Sequence, residues 1–243
     1  MNHVPPRPLA EADGLEAPAE SVSAALETRF SVRAFTDRPV DPRDVRTIVA
    51  RAAHSPSGGN VQPWFVYAVA GEPLAQFRAV IAERSATNPK GEALEYNVYP
   101  PKLKEPYRTR RYRCGEDLYA SIDSPREDRA GRLAQYGKNL DFFGAPVALF
   151  FALDRDMGEN QWAHLGMYMQ SVMLLAREFG LHTCAQEIWA HWLPTCRELL
   201  RVPDEQRIYC GMALGYADGA AAINHWRTDR APLEEWARFE GLD

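Results

Sequence analysis

The chain has 243 residues, 46% of them hydrophobic, which is enough for a packed core and consistent with one large domain. A formal net charge of −5 and a sequence pI of about 5.7 exclude the global basic field that nucleic-acid binding needs. No apolar run approaches the ~20 residues that cross a bilayer, so we expect no membrane span. Four cysteines without CxxC or metal-like spacing predict reduced thiols in a cytoplasmic protein.

The first segment, 1–20, is rich in Pro, Ala and Glu and lacks an apolar stretch. It predicts a flexible lead-in without a signal peptide. A first helix is predicted over 22–28, and a second begins at Asp41, a preferred N-cap residue, with Pro42 at the first helical position. This second helix ends at HSPSGGNVQPW, residues 54–64, which is either a connecting loop or a backbone cradle for a ligand.

Predicted strands and helices alternate after this loop. Aromatic and β-branched residues predict a strand over 64–70, and a helix is predicted over 73–84. Two continuous apolar runs predict buried strands over 145–153 and 208–216. Between them, helical spacing of apolar side chains predicts a long helix over 161–179. Pro232 predicts a final helix over 232–239. This alternation indicates a sheet with helices on its faces.

The segment 87–136 lacks clear periodicity and contains several prolines and tyrosines. A loop of this length in a compact domain is usually functional or disordered, and the tyrosines favour a lid or pocket wall. A basic run within it consists of Arg108, Arg110, Arg111 and Arg113. In an acidic chain, this run favours a solvated face or an anion-attracting rim over a nucleic-acid site.

Familiar catalytic fingerprints are absent from the sequence. No GxGxxG follows a strand, and there is no GxxxxGK[ST], HExxH or GxSxG. The six histidines form no ligand-spaced cluster, so no metal site is predicted.

Three separate stretches carry groups suited to one phosphorylated, planar ligand. RFSVRAF and RTDRAPLEEW offer guanidinium groups, which match phosphate oxygens bidentately. The glycines of HSPSGGNVQPW allow main-chain N–H groups to approach a ligand closely, and its amide side chains add donors and acceptors. Each stretch alone also has an ordinary structural explanation. Together they indicate a monophosphate attached to an amide-rich head.

These stretches, with FFGAPVALFF, GLHTCAQEIWA and CGMALGYAD, resemble the signatures of the nitroreductase family of FMN-dependent, NAD(P)H-oxidising enzymes. The resemblance runs from about residue 25 to the end, and the middle segment is similar to a subgroup that acts on nitrobenzoates and other nitroaromatics. It implies an α+β, three-layer fold with a mixed central sheet flanked by helices, in a single domain over 21–243. It also implies an intertwined homodimer with flavin at the subunit interface.

The resemblance also implies roles for individual residues. The FMN phosphate would be held by Arg29, Ser31, Arg33, Arg227 and Arg230. The flavin ring would be lined, from the partner subunit, by the loop residues Pro56, Ser57, Gly58, Asn60 and Gln62. The flavin edge would be met by Ala185, Gln186, Glu187 and Ile188, with a backbone N–H of Glu187 or Ile188 at N5, and the pyrimidine side by Lys138 or Asn139. The substrate wall would comprise Tyr107, Tyr112, Trp189 and Trp192.

The implied activity is two-electron reduction of nitro groups on nitroaromatic compounds, giving nitroso and hydroxylamine products. FMN would be tightly bound, and NAD(P)H would be a transient co-substrate sharing one site with the acceptor in a ping-pong cycle. No side chain need act as a nucleophile or base. Two alternatives remain: a flavoenzyme of the same fold with other reductive chemistry (dehalogenation, or quinone or enone reduction), and a non-catalytic flavin-binding dimer.

Overall fold

The computed structural model describes residues 15–92 and 94–242. Within these ranges the helices are α1 (Val22–Thr28), α2 (Pro42–Ala52), α3 (Gly71–Thr87), α4 (Tyr107–Ala120), α5 (Arg129–Gly137), α6 (Glu159–Glu178) and α7 (Leu193–Leu200). The strands are β1 (Phe65–Ala70), β2 (Val147–Asp154), β3 (His182–Gln186) and β4 (Gln206–Gly215). The helices predicted near α1, α2, α3 and α6 and the strands predicted near β1, β2 and β4 are confirmed, with ends shifted by up to three residues.

The four strands form one sheet in the order β1-β2-β4-β3, and each neighbouring pair is antiparallel. A parallel element comes from an isolated bridge between Ser31 and Thr183, so the predicted mixed character is confined to that bridge in the described chain. The order leaves β1 at one edge of the sheet and β3 at the other. Strand β3 is the most important of the four for function, because the candidate site lies along it.

The core has two apolar clusters, one on each face of the sheet. Side chains along β2 alternate between them: Phe150 packs with the cluster that α3 and α7 cover, and Phe151 packs with the cluster that α2 and α6 cover. Both side chains are fully buried, as expected for a central strand covered on both faces. The result is a helix–sheet–helix sandwich, which confirms the predicted α+β, three-layer fold.

Local sequence explains where α2 begins. The Asp41 carboxylate accepts a hydrogen bond from the backbone N–H of Arg43 at 2.8 Å, and Pro42 occupies the first helical position without leaving a donor unpaired.

The prediction of a helix over 232–239 is wrong. The structure forms only a short 3₁₀ turn there, Leu233–Glu235.

The segment 87–136 is not the structureless loop that its sequence suggests, because it holds α4 and most of α5. Helix α4 buries none of its side chains. The sequence of α4 therefore has no apolar periodicity from which a helix could be predicted. Strand β3 and helix α7 were also not predicted; β3 is only five residues long and α7 only eight.

The predicted flexible lead-in spans residues 1–20, of which 1–14 lie outside the described residues. The prediction is wrong for 15–20. Leu15 is buried, and its carbonyl lies 2.8 Å from Nε2 of His182. The buried guanidinium of Arg177 donates to the carbonyl of Ala17 at 2.9 Å, and the backbone carbonyl of Arg177 accepts from the N–H of Ala19 at 2.8 Å. These contacts fix the segment against the end of α6.

No helix in the described part of the chain is long and apolar enough to span a membrane.

Candidate functional site

The outer edge of β3 carries the first predicted stretch, RFSVRAF. Ser31 bridges to Thr183, and the backbone N–H of Val32 donates to the carbonyl of Thr183 at 3.1 Å. Successive side chains of an extended segment point to opposite sides, so Ser31 and Arg33 fall on the same side of the segment. The edge of β3 therefore fixes where this hydroxyl and this guanidinium lie.

A buried asparagine, Asn224, ties the C-terminal segment to the same place. Its Oδ1 accepts from the backbone N–H of Arg33 at 2.9 Å, and its Nδ2 donates to the carbonyls of Ala34 and Asp218 at 2.7 and 2.9 Å. The side chain is completely buried and uses each of its groups on backbone. Sequence reasoning missed this residue because a single asparagine carries no spacing signal.

The arginines predicted to bind phosphate gather around this junction without a counter-charge. Burial lowers the pKa of Arg29, and the positive charge of Arg230 lowers it further. Arg227 lies over the ring of Phe30 at 3.3 Å, and burial lowers its pKa to about 10. Across residues 15–92 and 94–242, no carboxylate forms an ion pair with Arg29, Arg33, Arg227 or Arg230.

Arg29 also has a buried Nε that lacks a hydrogen-bond partner in the described structure. An unpaired buried donor is costly, and an anion would satisfy it. Cys184 of β3 is buried beside Arg29, Ser31 and Arg33. Burial raises the pKa of its thiol, while the charges of Arg33 and Arg29 and a hydrogen bond with Ser31 lower it. The structure therefore brings Arg29, Ser31 and Arg33 together, and their role in binding phosphate stays a prediction.

The far end of β3 carries the second group of predicted residues. Gln186 is 2% exposed, and its Nε2 donates to the backbone carbonyl of Asn139 at 2.8 Å. Its Oε1 is buried without a partner among the described residues. Ala185 and Glu187 on either side are exposed, Ile188 is half-buried, and Lys138 is exposed next to Asn139. Strand β3 thus has the arginine cluster, which is suited to bind an anion, at one end and the amide side chains of Gln186 and Asn139 at the other.

The loop 54–64 has an unusual backbone conformation. Gly59, Asn60 and Gln62 have φ angles of 59°, 54° and 47°, in the left-handed region that non-glycine residues rarely adopt. The Ser57 hydroxyl stabilises the turn by accepting from the backbone N–H of Gln62 at 3.0 Å. Pro56, Gly58, Asn60 and Gln62 are exposed and Ser57 is half-buried.

This loop packs on α6 rather than beside the arginines. The backbone N–H of Gly58 donates to His164 Nε2 at 3.3 Å, and the Ser55 hydroxyl lies 2.6 Å from that of Ser171. None of the hydrogen bonds described for the loop reaches the arginine cluster. Within one chain, no described hydrogen bond therefore links these two predicted parts of the site.

Two of the four predicted substrate-wall residues are placed elsewhere. Trp189 is fully buried and stacks on Phe142 with ring centroids 4.6 Å apart, and Trp192 is 2% exposed in the same core cluster. The prediction is wrong for both side chains, because the 3₁₀ turn after β3 directs them into the core. Tyr107 and Tyr112 lie on α4 and are about half exposed, so their role stays a prediction.

The described residues contain no group of three or more His, Cys, Asp or Glu side chains that could hold a metal ion.

The profile of the nitroreductase family matches residues 26–216. The chain belongs to the nitroreductase family. A 4-nitrobenzoate reductase from Pseudomonas putida is 34% identical over 224 residues, covering 92% of this chain and 97% of the relative. A chloronitrobenzene nitroreductase from Comamonas testosteroni is 35% identical, covering 88% of this chain and 94% of the relative.

Solved structures of other nitroreductases share the fold. The FMN and NADPH-dependent nitroreductase NfnB from Sphigopyxis sp. strain HMH superposes with a TM-score of 0.88 at 45% identity, covering 91% of this chain and all of that chain. The FMN-dependent NfnB from Mycobacterium smegmatis, in complex with NADPH, gives 0.85 at 27% identity, covering 90% and 97%. The resemblance drawn from the sequence motifs is confirmed.

Proposed function

We propose that this nitroreductase is an FMN-dependent NAD(P)H oxidoreductase that reduces the nitro groups of nitroaromatic compounds. The observation that carries the proposal is the arginine cluster at β3, which holds four guanidinium groups and a buried unpaired donor without a counter-charge. The names of the relatives support the substrate class, since they act on nitrobenzoate and chloronitrobenzene. Two of the superposed structures support FMN and NADPH.

The residues present fit FMN at both ends of the site. Arg29, with its unpaired buried Nε, offers the phosphate a donor, and Arg33 and Arg230 add charge. At the other end, the unpaired Oε1 of Gln186 offers the ring an acceptor, and Asn139 holds this side chain in place. Bound FMN supplies the two-electron transfer chemistry, and the chain supplies binding, orientation and electrostatics.

Strand geometry supports a choice between the two main-chain N–H groups proposed for the flavin edge. The backbone of Thr183 points outward from the sheet, because its carbonyl accepts from Val32 beyond the edge. In an antiparallel strand the backbone groups alternate in direction, so those of Ala185 also point outward. Gln186 has an extended backbone, which carries the alternation one step further to the N–H of Glu187. We therefore assign the donor for the flavin edge to the N–H of Glu187 rather than that of Ile188.

The proposed enzyme is a homodimer whose site combines two chains. Val22, Pro56 and Leu174 line one groove of about 660 Å³, which joins α1, the loop 54–64 and α6. Large apolar side chains of these three elements are exposed in the single chain: Val22 by 71%, Val61 by 49% and Met167 by 44%. Exposed apolar surface of this kind marks a protein interface. We infer that a partner covering this surface places its own loop 54–64 beside the arginine cluster.

The remaining predictions are retained as parts of this proposal. Residues 21–243 form a single domain, and the segment 87–136 forms a wall on the acceptor side of the site, with Tyr107 and Tyr112 facing the acceptor.

The chain contains free cysteines at 114, 184, 196 and 210, of which the last three are buried. Reduced thiols support a cytoplasmic location.

A direct assay tests the function. The purified protein is expected to carry FMN whose absorbance is bleached by NADPH or NADH without oxygen and restored by 4-nitrobenzoate, with the hydroxylamine found by mass spectrometry. Benzoate, which lacks the nitro group, is the matched control and should restore nothing. A protein that takes up no FMN, or bound FMN that neither nicotinamide bleaches, would contradict the proposal.

A further inference from the structure

Helix α4 carries four arginines, at 108, 110, 111 and 113, that the proposed FMN site does not use. The helix buries no side chain, so packing does not explain them. The chain is acidic overall, which makes a local concentration of positive charge more notable.

Three of these arginines have carboxylate partners. Arg108 pairs with Glu105 at 2.7 Å, Arg110 with Glu235 at 2.6 Å and Arg113 with Asp229 at 3.1 Å. The last two pairs join α4 to the C-terminal segment, and Asp229 immediately precedes Arg230 of the arginine cluster. These pairs therefore hold α4 beside the cluster.

Arg111 differs from the other three. No carboxylate among the described residues forms an ion pair with it, and its guanidinium carbon lies 4.2 Å from the ring centroid of Tyr99. Stacking on a tyrosine fixes the plane of the guanidinium and leaves its edge donors available. Such a group is suited to a phosphate, which it can bind bidentately.

The position of Arg111 places it next to the proposed FMN phosphate site. Cys114 lies three residues further along α4, about 4.5 Å in axial rise. Partial burial raises the pKa of the Cys114 thiol, while the nearby charges of Arg33 and Arg230 lower it. Arg111 is thus one helical turn from Cys114 and two residues from Arg113, which pairs with Asp229 beside Arg230.

We propose that Arg111 binds the 2′-phosphate of NADPH and makes this enzyme prefer NADPH to NADH. This inference rests on the proposed function, in which the coenzyme enters the cleft that holds FMN. The nicotinamide must reach the ring end of β3, so the adenosine half extends away from it. NADH has a neutral hydroxyl in place of the 2′-phosphate and gains nothing from a free guanidinium.

Arg111→Ala tests the proposal by coenzyme kinetics. The wild type is expected to have a higher kcat/KM for NADPH than for NADH. The variant should lose about 10- to 100-fold in kcat/KM for NADPH, as expected for a charged hydrogen-bond partner. Its kcat/KM for NADH, its FMN content and its KM for 4-nitrobenzoate should stay within about twofold.

Arg108→Ala is the matched control, because Arg108 is exposed on the same helix and already paired with Glu105. It should leave the NADPH/NADH ratio within about twofold of the wild type. An equal loss for both coenzymes in the Arg111 variant, or the same shift in the Arg108 variant, would overturn the assignment. So would a wild type without NADPH preference.

A binding measurement separates this proposal from the proposed function. Calorimetry on the FMN-loaded protein should show adenosine 2′,5′-bisphosphate binding more tightly than 5′-AMP, and Arg111→Ala should remove the difference. Equal binding of the two nucleotides to the wild type would overturn the role of Arg111 while leaving nitro reduction intact. Failure of the proposed function would instead show as FMN that neither nicotinamide reduces.

Discussion

Trp189→Ala should lower the free energy of unfolding by about 3–5 kcal/mol, the range for truncating a large buried aromatic side chain. Trp189 is fully buried, stacks on Phe142 and meets Phe77 and Phe150 edge-on. It also lies directly over Gly211, where an added Cβ would collide with the indole ring. The cavity left by alanine cannot be filled from β4, so the loss should appear in full in chemical denaturation.

Trp189→Phe is the matched control. It keeps an aromatic ring at this position and removes an indole N–H that is buried without a partner in the described structure. The expected loss is below about 2 kcal/mol. A Trp189→Ala variant that keeps wild-type stability but changes its nitroarene preference would instead restore Trp189 to the substrate wall.

Acid should destabilise the protein through His182, with a maximum effect of roughly 5 kcal/mol. The ring is 1% exposed, and burial lowers its pKa to about 3, with help from the positive charge of Arg177. In the unfolded chain this histidine protonates near its ordinary pKa of 6.5. Because the unfolded state binds the proton first, the contribution is complete above pH 6.5 and is lost as the pH falls from 6.5 towards 3.

His182→Gln tests this assignment, because glutamine can still donate to the Leu15 carbonyl but does not titrate. Between pH 6 and 5, the wild type should lose up to about 1.4 kcal/mol of unfolding free energy per pH unit more than the variant. His54→Gln, at an exposed position, should keep the wild-type slope. Identical slopes for wild type and His182→Gln would show that another group causes the acid sensitivity.

Local signals in the sequence were sufficient for the elements that pack most regularly. Asp41 and Pro42 mark the start of α2, and the apolar run at β2 indicates a strand buried on both faces. The same reasoning failed for α4, because a helix with no buried side chain has no hydrophobic period. It also failed after Pro232, where proline and acidic residues suggested a helix start but the chain turns only once and Trp236 donates to the carbonyl of Ala231.

The parts of the candidate site that lie within one short motif could be predicted from the sequence. The motif RFSVRAF places Arg29, Ser31 and Arg33 at alternating positions, and the structure brings them together at the edge of β3. Trp189 was misplaced, since the sequence does not show which way a short 3₁₀ turn directs its side chains. Asn224 was missed because its role depends on a hydrogen bond to the backbone of Ala34, 190 residues away. Contacts of this kind are set by the tertiary structure alone.

The central claim is that each flavin site combines the arginine cluster of one chain with the loop 54–64 of its partner. Two single variants test the two parts. Arg33→Ala removes a phosphate donor and should weaken FMN binding by about 1–3 kcal/mol. Gly59→Pro disrupts the loop, because Gly59 has a φ of 59° and proline is confined to about −65°. Arg46→Ala, an exposed position on α2, is the control and should retain FMN.

The decisive measurement is the FMN content of heterodimers that pair an Arg33→Ala chain with a Gly59→Pro chain, isolated through two different affinity tags. If the site is shared between chains, one site receives both changes and the other receives neither. The heterodimer should then hold one FMN with wild-type affinity, although both variant homodimers bind FMN weakly. If both sites of the heterodimer are weakened equally, each site is built from one chain and the account is contradicted.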